Sequence, residues 1–149
     1  MAVHHINSNS IYHRDLKPEN FLVKYDKNGK IHLHLNDFGV AKNTKPDYEM
    51  LSSSIGARKG TIEYLAPEIL NAKLSKPNIS RQDVWSIGVI AYQLCTLCLP
   101  FNSESSGGTM FAIINEPYDP IGDAGDYSDE LKDLIARLLL KDPEERLSI

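Results

Sequence analysis

The sequence predicts a mostly helical α+β domain with one β-hairpin, and three stretches carry that prediction. Val84 to Leu97 is apolar on nearly every face, as a helix buried on all sides must be. Leu131, Leu134, Ile135, Leu138 and Leu139 fall at i, i+3, i+4, i+7 and i+8, the spacing that gathers apolar side chains into one helical stripe. Between Phe21 and Leu35, two short runs rich in β-forming residues flank the turn dipeptide Asn28-Gly29.

In chain order, Val3 and Ile6 lie three apart, as on the last turns of a helix, before Asn7-Ser8-Asn9-Ser10 breaks the pattern. Ile11 and Tyr12 are expected to be extended. Pro18 pushes Lys17 toward an extended or turn geometry, because the proline ring crowds the preceding residue. Phe21-Leu22-Val23 and Ile31 to Leu35 read as strand and strand, with Asn28-Gly29 supplying the positive dihedral angles of the turn. Gly39 to Gly60 has no period and is rich in lysine, serine and turn residues, as in a mobile loop. Ser80-Arg81-Gln82-Asp83 has the form of a capping box and opens a buried helix over 81–97. Leu99-Pro100-Phe101 ends it. Asn102 to Gly108 reads as a polar loop before a short helix at Met110 to Ile114, and Asn115 to Tyr127 reads as loop. Ser128 caps the amphipathic helix over 128–140, with Asp129 and Glu130 in its first turn, and Lys141-Asp142-Pro143 stops it.

At 149 residues and 42% hydrophobic content the chain suits one globular domain with a sizeable core. A net charge of −4 and a pI near 5.7 argue against a nucleic-acid surface, which usually shows a basic excess. The longest apolar stretch is interrupted by Ser86, Gly88, Gln93 and Thr96, too short and polar for a membrane span. Two cysteines are too few for a disulfide framework, and no secretory signal opens the chain, so a reducing cytosolic or nuclear setting is expected.

Two stretches carry chemistry: His13-Arg14-Asp15-Leu16-Lys17-Pro18-Glu19-Asn20 and Asp37-Phe38-Gly39. Phosphoryl transfer needs a carboxylate to receive a hydroxyl proton and further oxygen ligands to hold magnesium against a triphosphate. Asp15 supplies the first, and Asn20 with Asp37 the second. Ala66-Pro67-Glu68 follows at a distance suited to an intervening regulatory loop. Either tripeptide alone is an ordinary loop, but the set in this order is specific.

The set resembles the catalytic loop, Asp-Phe-Gly and Ala-Pro-Glu motifs of eukaryotic protein kinases, and Lys17 within Asp-Leu-Lys-Pro-Glu-Asn resembles the serine/threonine branch. The resemblance implies a protein kinase-like α+β fold, here the C-terminal lobe only, with a β-hairpin carrying the Asp-Phe-Gly motif. It implies a partial kinase domain over 1–149, with the catalytic loop at 13–20 and the activation segment at 37–68. It further implies ATP and Mg2+ as cofactors, with Asp15 orienting and deprotonating a serine or threonine hydroxyl of a protein substrate and Lys17 neutralising the moving phosphoryl group. Asn20 and Asp37 would hold Mg2+, Leu22 would lie under the adenine, and Thr61 would hydrogen-bond near Asp15 and Lys17. Arg14 resembles the arginine that clamps a phosphate on the activation segment, where Thr44, Ser52, Ser53 and Ser54 are candidate acceptors. His13 would pack on Phe38, Asp83 would accept hydrogen bonds from the catalytic-loop backbone, with a plain helix-cap role as the alternative, and Arg146 would pair with Glu68. Glu19 resembles a residue that contacts arginine in substrates of basophilic kinases, while the partner acidic position on the buried helix is Gln93. The wording leans toward the calcium/calmodulin-dependent or cyclic-nucleotide-dependent groups.

In such kinases a glycine-rich loop and a strand lysine precede the catalytic loop. Only twelve residues precede His13, none of them lysine, and no Gly-x-Gly-x-x-Gly occurs. The N-terminal lobe is therefore an expected partner, and the isolated chain is expected to be inactive, with apolar surface exposed near Leu22 and Phe38. The alternative function is a non-catalytic, pseudokinase-like or truncated interaction module. Neither nucleic acid nor membrane is an expected partner. Cys95 and Cys98 have redox or zinc spacing but read as thiols of the buried helix, and His32 and His34 read as solvent-facing strand residues.

Overall fold

The computed structural model describes residues 2–39, 41–43, 62–71, 79–122 and 126–149. Helix α1 (Ala2–Ser8) leads into β1 (Ile11–Tyr12), and a single 3-10 turn at Pro18–Asn20 leads into the hairpin of β2 (Phe21–Tyr25) and β3 (Ile31–Leu35). Lys17 is extended, with φ −157° and ψ 161°, as the following proline requires. Strand β4 (Lys42–Asn43) then pairs antiparallel with β1, Ile11 opposite Asn43 and Tyr12 opposite Lys42. That pairing, which the sequence does not announce, returns the chain beyond Asp37 to the segment entering His13.

In the hairpin Phe21 faces Leu35, Val23 faces Leu33 and Tyr25 faces Ile31. The turn differs from the expected one. Gly29 has φ +78°, but Asn28 does not adopt a positive angle. Gly29 N–H donates to Asp26 O at 3.0 Å, and Asp26 N–H to Lys30 O at 3.0 Å, so a tight turn is followed by one left-handed residue. Asp26 Oδ1 accepts from the Asn28 and Lys30 amides, which selects this geometry over a two-residue turn.

The remaining elements are helical: a second 3-10 turn at Ile62–Tyr64, then α2 (Pro67–Leu70), α3 (Ile79–Thr96), α4 (Ser106–Asn115) and α5 (Asp129–Leu138). Helix α3 is the axis of the core. Trp85, Val89 and Tyr92 on it pack with Tyr64, Ile69, Phe101, Ile113 and Ile135 from the surrounding segments. Trp85 stacks on Phe101 with ring centroids 5.7 Å apart. Gly88 lets α5 press against α3, because a Cβ there would lie 2.8 Å from Leu138 Cβ.

Three boundaries depart from expectation. Ser80 lies inside α3, which begins at Ile79, so it is not the cap of that helix; the helix ends at Thr96, and Leu97 closes it with φ +60°. Helix α4 starts at Ser106, within the stretch read as loop, because Ser105 Oγ caps it by accepting from Gly108 N–H at 3.0 Å. Helix α5 covers Asp129 to Leu138, with Ser128 accepting from Leu131 N–H as its cap. Cys98 is not a core thiol: it lies beyond the end of α3 and is exposed, while Cys95 is half-buried. No helix among the described residues is long and apolar enough to cross a membrane.

Candidate active site

The site is built from the backbone of residues 13 to 20. Leu16 is fully buried and anchors this stretch in the core, leaving Asp15 and Lys17, two residues apart in extended chain, to share the other side. Lys17 Nζ lies 3.3 Å from Asp15 Oδ2, with both side chains partly accessible. Asn20, buried at 5% exposure, turns its Nδ2 onto the Asp15 carbonyl at 2.7 Å. Its nitrogen is thereby committed, and its amide oxygen is the atom left to face a cation.

Asp37 is brought to the same place through its neighbour. Asn36 N–H donates to Asn20 O at 2.9 Å, and Asn36 O accepts from His13 Nε2 at 2.9 Å. A carbonyl only accepts, so His13 carries its proton on Nε2. The His13 ring also meets Phe38 edge-on, with centroids 5.1 Å apart. Asp37 itself is left-handed, φ +57°, and its Oδ1 accepts from Gly39 N–H at 3.2 Å. Asn20 is thus bonded to Asp15 on one side and to Asn36, the residue directly before Asp37, on the other.

Underneath, α3 holds the loop. The fully buried Asp83 accepts from His13 N–H at 3.0 Å and from Arg14 N–H at 2.9 Å. The Asn7 side-chain amide on α1 faces two acceptors, Ile11 O at 3.0 Å and Asp83 Oδ2 at 3.2 Å, and acceptors need a donor, which assigns the amide nitrogen to that side. Burial pushes the Asp83 carboxyl above its ordinary value, and the hydrogen bonds from Arg14 and His13 pull the other way. The clamp matters because Arg14 has φ +67°, a left-handed backbone that a side chain disfavours.

Beside Asp83, Gln82 donates from Nε2 to the Arg14 carbonyl at 3.1 Å. Sequence reading missed Gln82, Asn7 and Asn36. Gln82 stood inside a capping pattern, and its partner lies 68 residues away, beyond any local signal.

The remaining expected residues fall as follows. Leu22 is 53% exposed on β2, and Glu19 is exposed at the 3-10 turn. Glu19 lies near enough to Tyr64 that its charge adds to burial in raising the Tyr64 phenol. Tyr64 donates to Gln93 Oε1 at 2.9 Å, so the Gln93 carbonyl is engaged within the fold. Glu68 and Arg146 form a fully buried bidentate pair, at 2.7 and 2.9 Å. Arg146 also donates to the Leu140, Arg81 and Lys141 carbonyls, which employs all five of its N–H groups. Thr61, Thr44 and Ser52 to Ser54 lie outside the described residues, as does most of the segment 37–68. His32 is engaged with Asp26 Oδ2 at 3.3 Å, and no cluster of three His, Cys, Asp or Glu residues suited to a metal occurs among the described residues.

The whole chain, residues 1–149, matches the family model described as protein kinase domain; the chain belongs to the protein kinase family. It is similar, at 38% identity over 99% of its length, to a Saccharomyces cerevisiae protein whose name places it among serine/threonine-protein kinases. It is 37% identical over 99% of its length to human myosin light chain kinase 3, and 36% identical over 99% to developmentally-regulated protein kinase 1 of Dictyostelium discoideum. The chain spans 15%, 17% and 19% of those three proteins.

Proposed function

We propose that this chain forms the C-terminal lobe of a complete protein kinase domain that transfers phosphate from ATP to serine or threonine of protein substrates. The observation that supports this reading most is that Asn20 bonds both to Asp15 and to Asn36, the neighbour of Asp37, so that the two loops meet at one residue. The donor set fits Mg2+, a hard cation that takes carboxylate and amide oxygens, one or two from the protein and the rest from phosphate and water. Asn20 Oδ1 and the Asp37 carboxylate would hold it, and its charge would offset that of the phosphates.

The chain's own groups then divide the work. Asp15 accepts the substrate hydroxyl's hydrogen bond and takes its proton, and Lys17, 3.3 Å from Asp15, places a positive charge where phosphoryl oxygens gather. Leu22 offers an exposed apolar floor for a flat base. Glu19 and Thr61 belong to the substrate side of the site, and Arg14 to the reading of a phosphorylated activation segment. The isolated 149-residue polypeptide is inactive in this reading, because it carries no glycine-rich loop to close over phosphates. An intracellular setting, free of nucleic acid or membrane contacts, goes with it.

A second reading, a non-catalytic interaction module, draws on the apolar hairpin face, where Val23, Tyr25, Ile31 and Leu33 are all more than half exposed. One assay separates the two. The full-length protein should phosphorylate a serine-containing peptide with Mg2+ and ATP, and Asp15→Asn should lower kcat by about 10²–10⁴-fold. A full-length protein with no transfer, or an Asp15→Asn variant as fast as wild type, overturns the enzymatic reading.

A further inference from the structure

Asp15 sits between two peptide groups, and each carbonyl is held by a side-chain amide. The carbonyl behind it, on Arg14, accepts from Gln82 Nε2 at 3.1 Å; its own carbonyl accepts from Asn20 Nδ2 at 2.7 Å. We propose that Gln82 is a positioning residue for phosphoryl transfer: it fixes the plane of the Arg14–Asp15 peptide and so the direction in which the Asp15 carboxylate points. The inference rests on the kinase reading above and adds a residue to it.

Three features of Gln82 support this role. Its side chain is 2% exposed, yet its Oε1 has no hydrogen-bond partner among the described residues. A buried, unpaired amide oxygen carries a desolvation cost that an apolar side chain of the same shape would not. Among the described residues, the Nε2 bond to Arg14 is the one contact for which the amide group is needed. The backbone it grips is also the one most in need of a grip, since Arg14 is left-handed at φ +67°. Asp83 binds the N–H of Arg14 and thereby fixes only the peptide ahead of it. The peptide after it can still rotate about the Arg14 ψ angle, and that rotation swings Asp15. Gln82 closes this freedom from the adjacent position on α3, and the two side chains together hold both peptide groups that flank Arg14.

A residue that only stabilises the fold and one that positions a carboxylate respond differently to Gln82→Leu. The substitution removes the orphaned Oε1 and takes the Gln82 donor away from the partly buried Arg14 carbonyl, so the two stability effects offset. The thermal midpoint should stay within about 2 °C of wild type. Misdirection of Asp15 should nonetheless lower kcat roughly 10- to 100-fold, with the KM values for ATP and peptide unchanged. Gln82→Met, which keeps the length and removes the donor, should behave alike.

The experiment is steady-state kinetics and thermal unfolding of the full-length protein as wild type, Gln82→Leu and Gln82→Met. A fall in kcat at constant KM and constant midpoint supports the proposal. Active wild type with unchanged kcat in both variants overturns it and leaves the kinase reading standing. Loss of kcat only in step with loss of thermal stability overturns it too, as the mark of a purely structural residue. Wild type that transfers no phosphate overturns the kinase reading and this inference with it.

Discussion

The Arg146 guanidinium illustrates how a single buried charge is made tolerable. Its five N–H groups meet two carboxylate oxygens and three backbone carbonyls, and its Cζ lies 5.0 Å from the Trp85 ring centroid. Neither partner of such a pair is replaceable alone, because the survivor stays buried and charged. Arg146→Leu should therefore lower stability by about 3–5 kcal/mol in urea denaturation, whereas Glu68→Leu/Arg146→Leu should cost much less than the two single losses added. Additive losses would contradict that account. At this scale the sequence was readable where a motif names the partner. Asp83, Arg146 and His13 found the partners that the resemblance implied. Gln82 and Asn7 did not announce theirs, since a hydrogen bond between residues far apart in the chain leaves no periodicity behind.

Among the elements, the strongest patterns were read most closely. The i, i+3, i+4 stripe and the Ser128 cap located α5, and two β-forming runs flanking Asn28-Gly29 located both strands of the hairpin. Helix α4 was read short because Gly107 and Gly108 look like loop residues. In the fold Gly108 is required inside the helix, since a Cβ there would strike the Ser103 side chain. Strand β4 was invisible because two residues hold no period. The far end of α4 is tied down by Lys141, whose Nζ donates to Ile113 O at 2.5 Å and lies 3.7 Å from the Phe101 ring centroid. Burial pulls Lys141 from 10.5 to about 8, with the charge of Glu116 resisting and that of Arg146 assisting. The unfolded chain then keeps this proton to higher pH than the folded one, so the lysine's contribution to stability rises between about pH 8 and 10. Measured against Lys141→Met, the wild-type midpoint should climb over that interval; a constant difference would show that the lysine is not shifted.

For the molecule as a whole, α3 couples the packed core to the chemistry. The same helix sends Trp85 and Val89 into the core and Gln82 and Asp83 to the catalytic loop. The groups proposed to be catalytic are therefore held from a buried helix and not by their own loop alone. Among the described residues the other side of the site has no such backing. The hairpin face formed by Val23, Tyr25, Ile31 and Leu33 is exposed, in keeping with the proposal that the remainder of a kinase domain covers it. The resemblance implied that both loops serve one cation but left unnamed the residue that bridges them, Asn36, which bonds Asn20 and His13. The meeting of the two loops can be measured in the 149-residue chain by NMR, using Mn2+ with ATP as a paramagnetic substitute for Mg2+. The amide signals of residues 15–17, 19–20 and 36–39 should broaden together at the same Mn2+ concentration. Broadening of one loop while the other stays sharp would contradict a shared cation site.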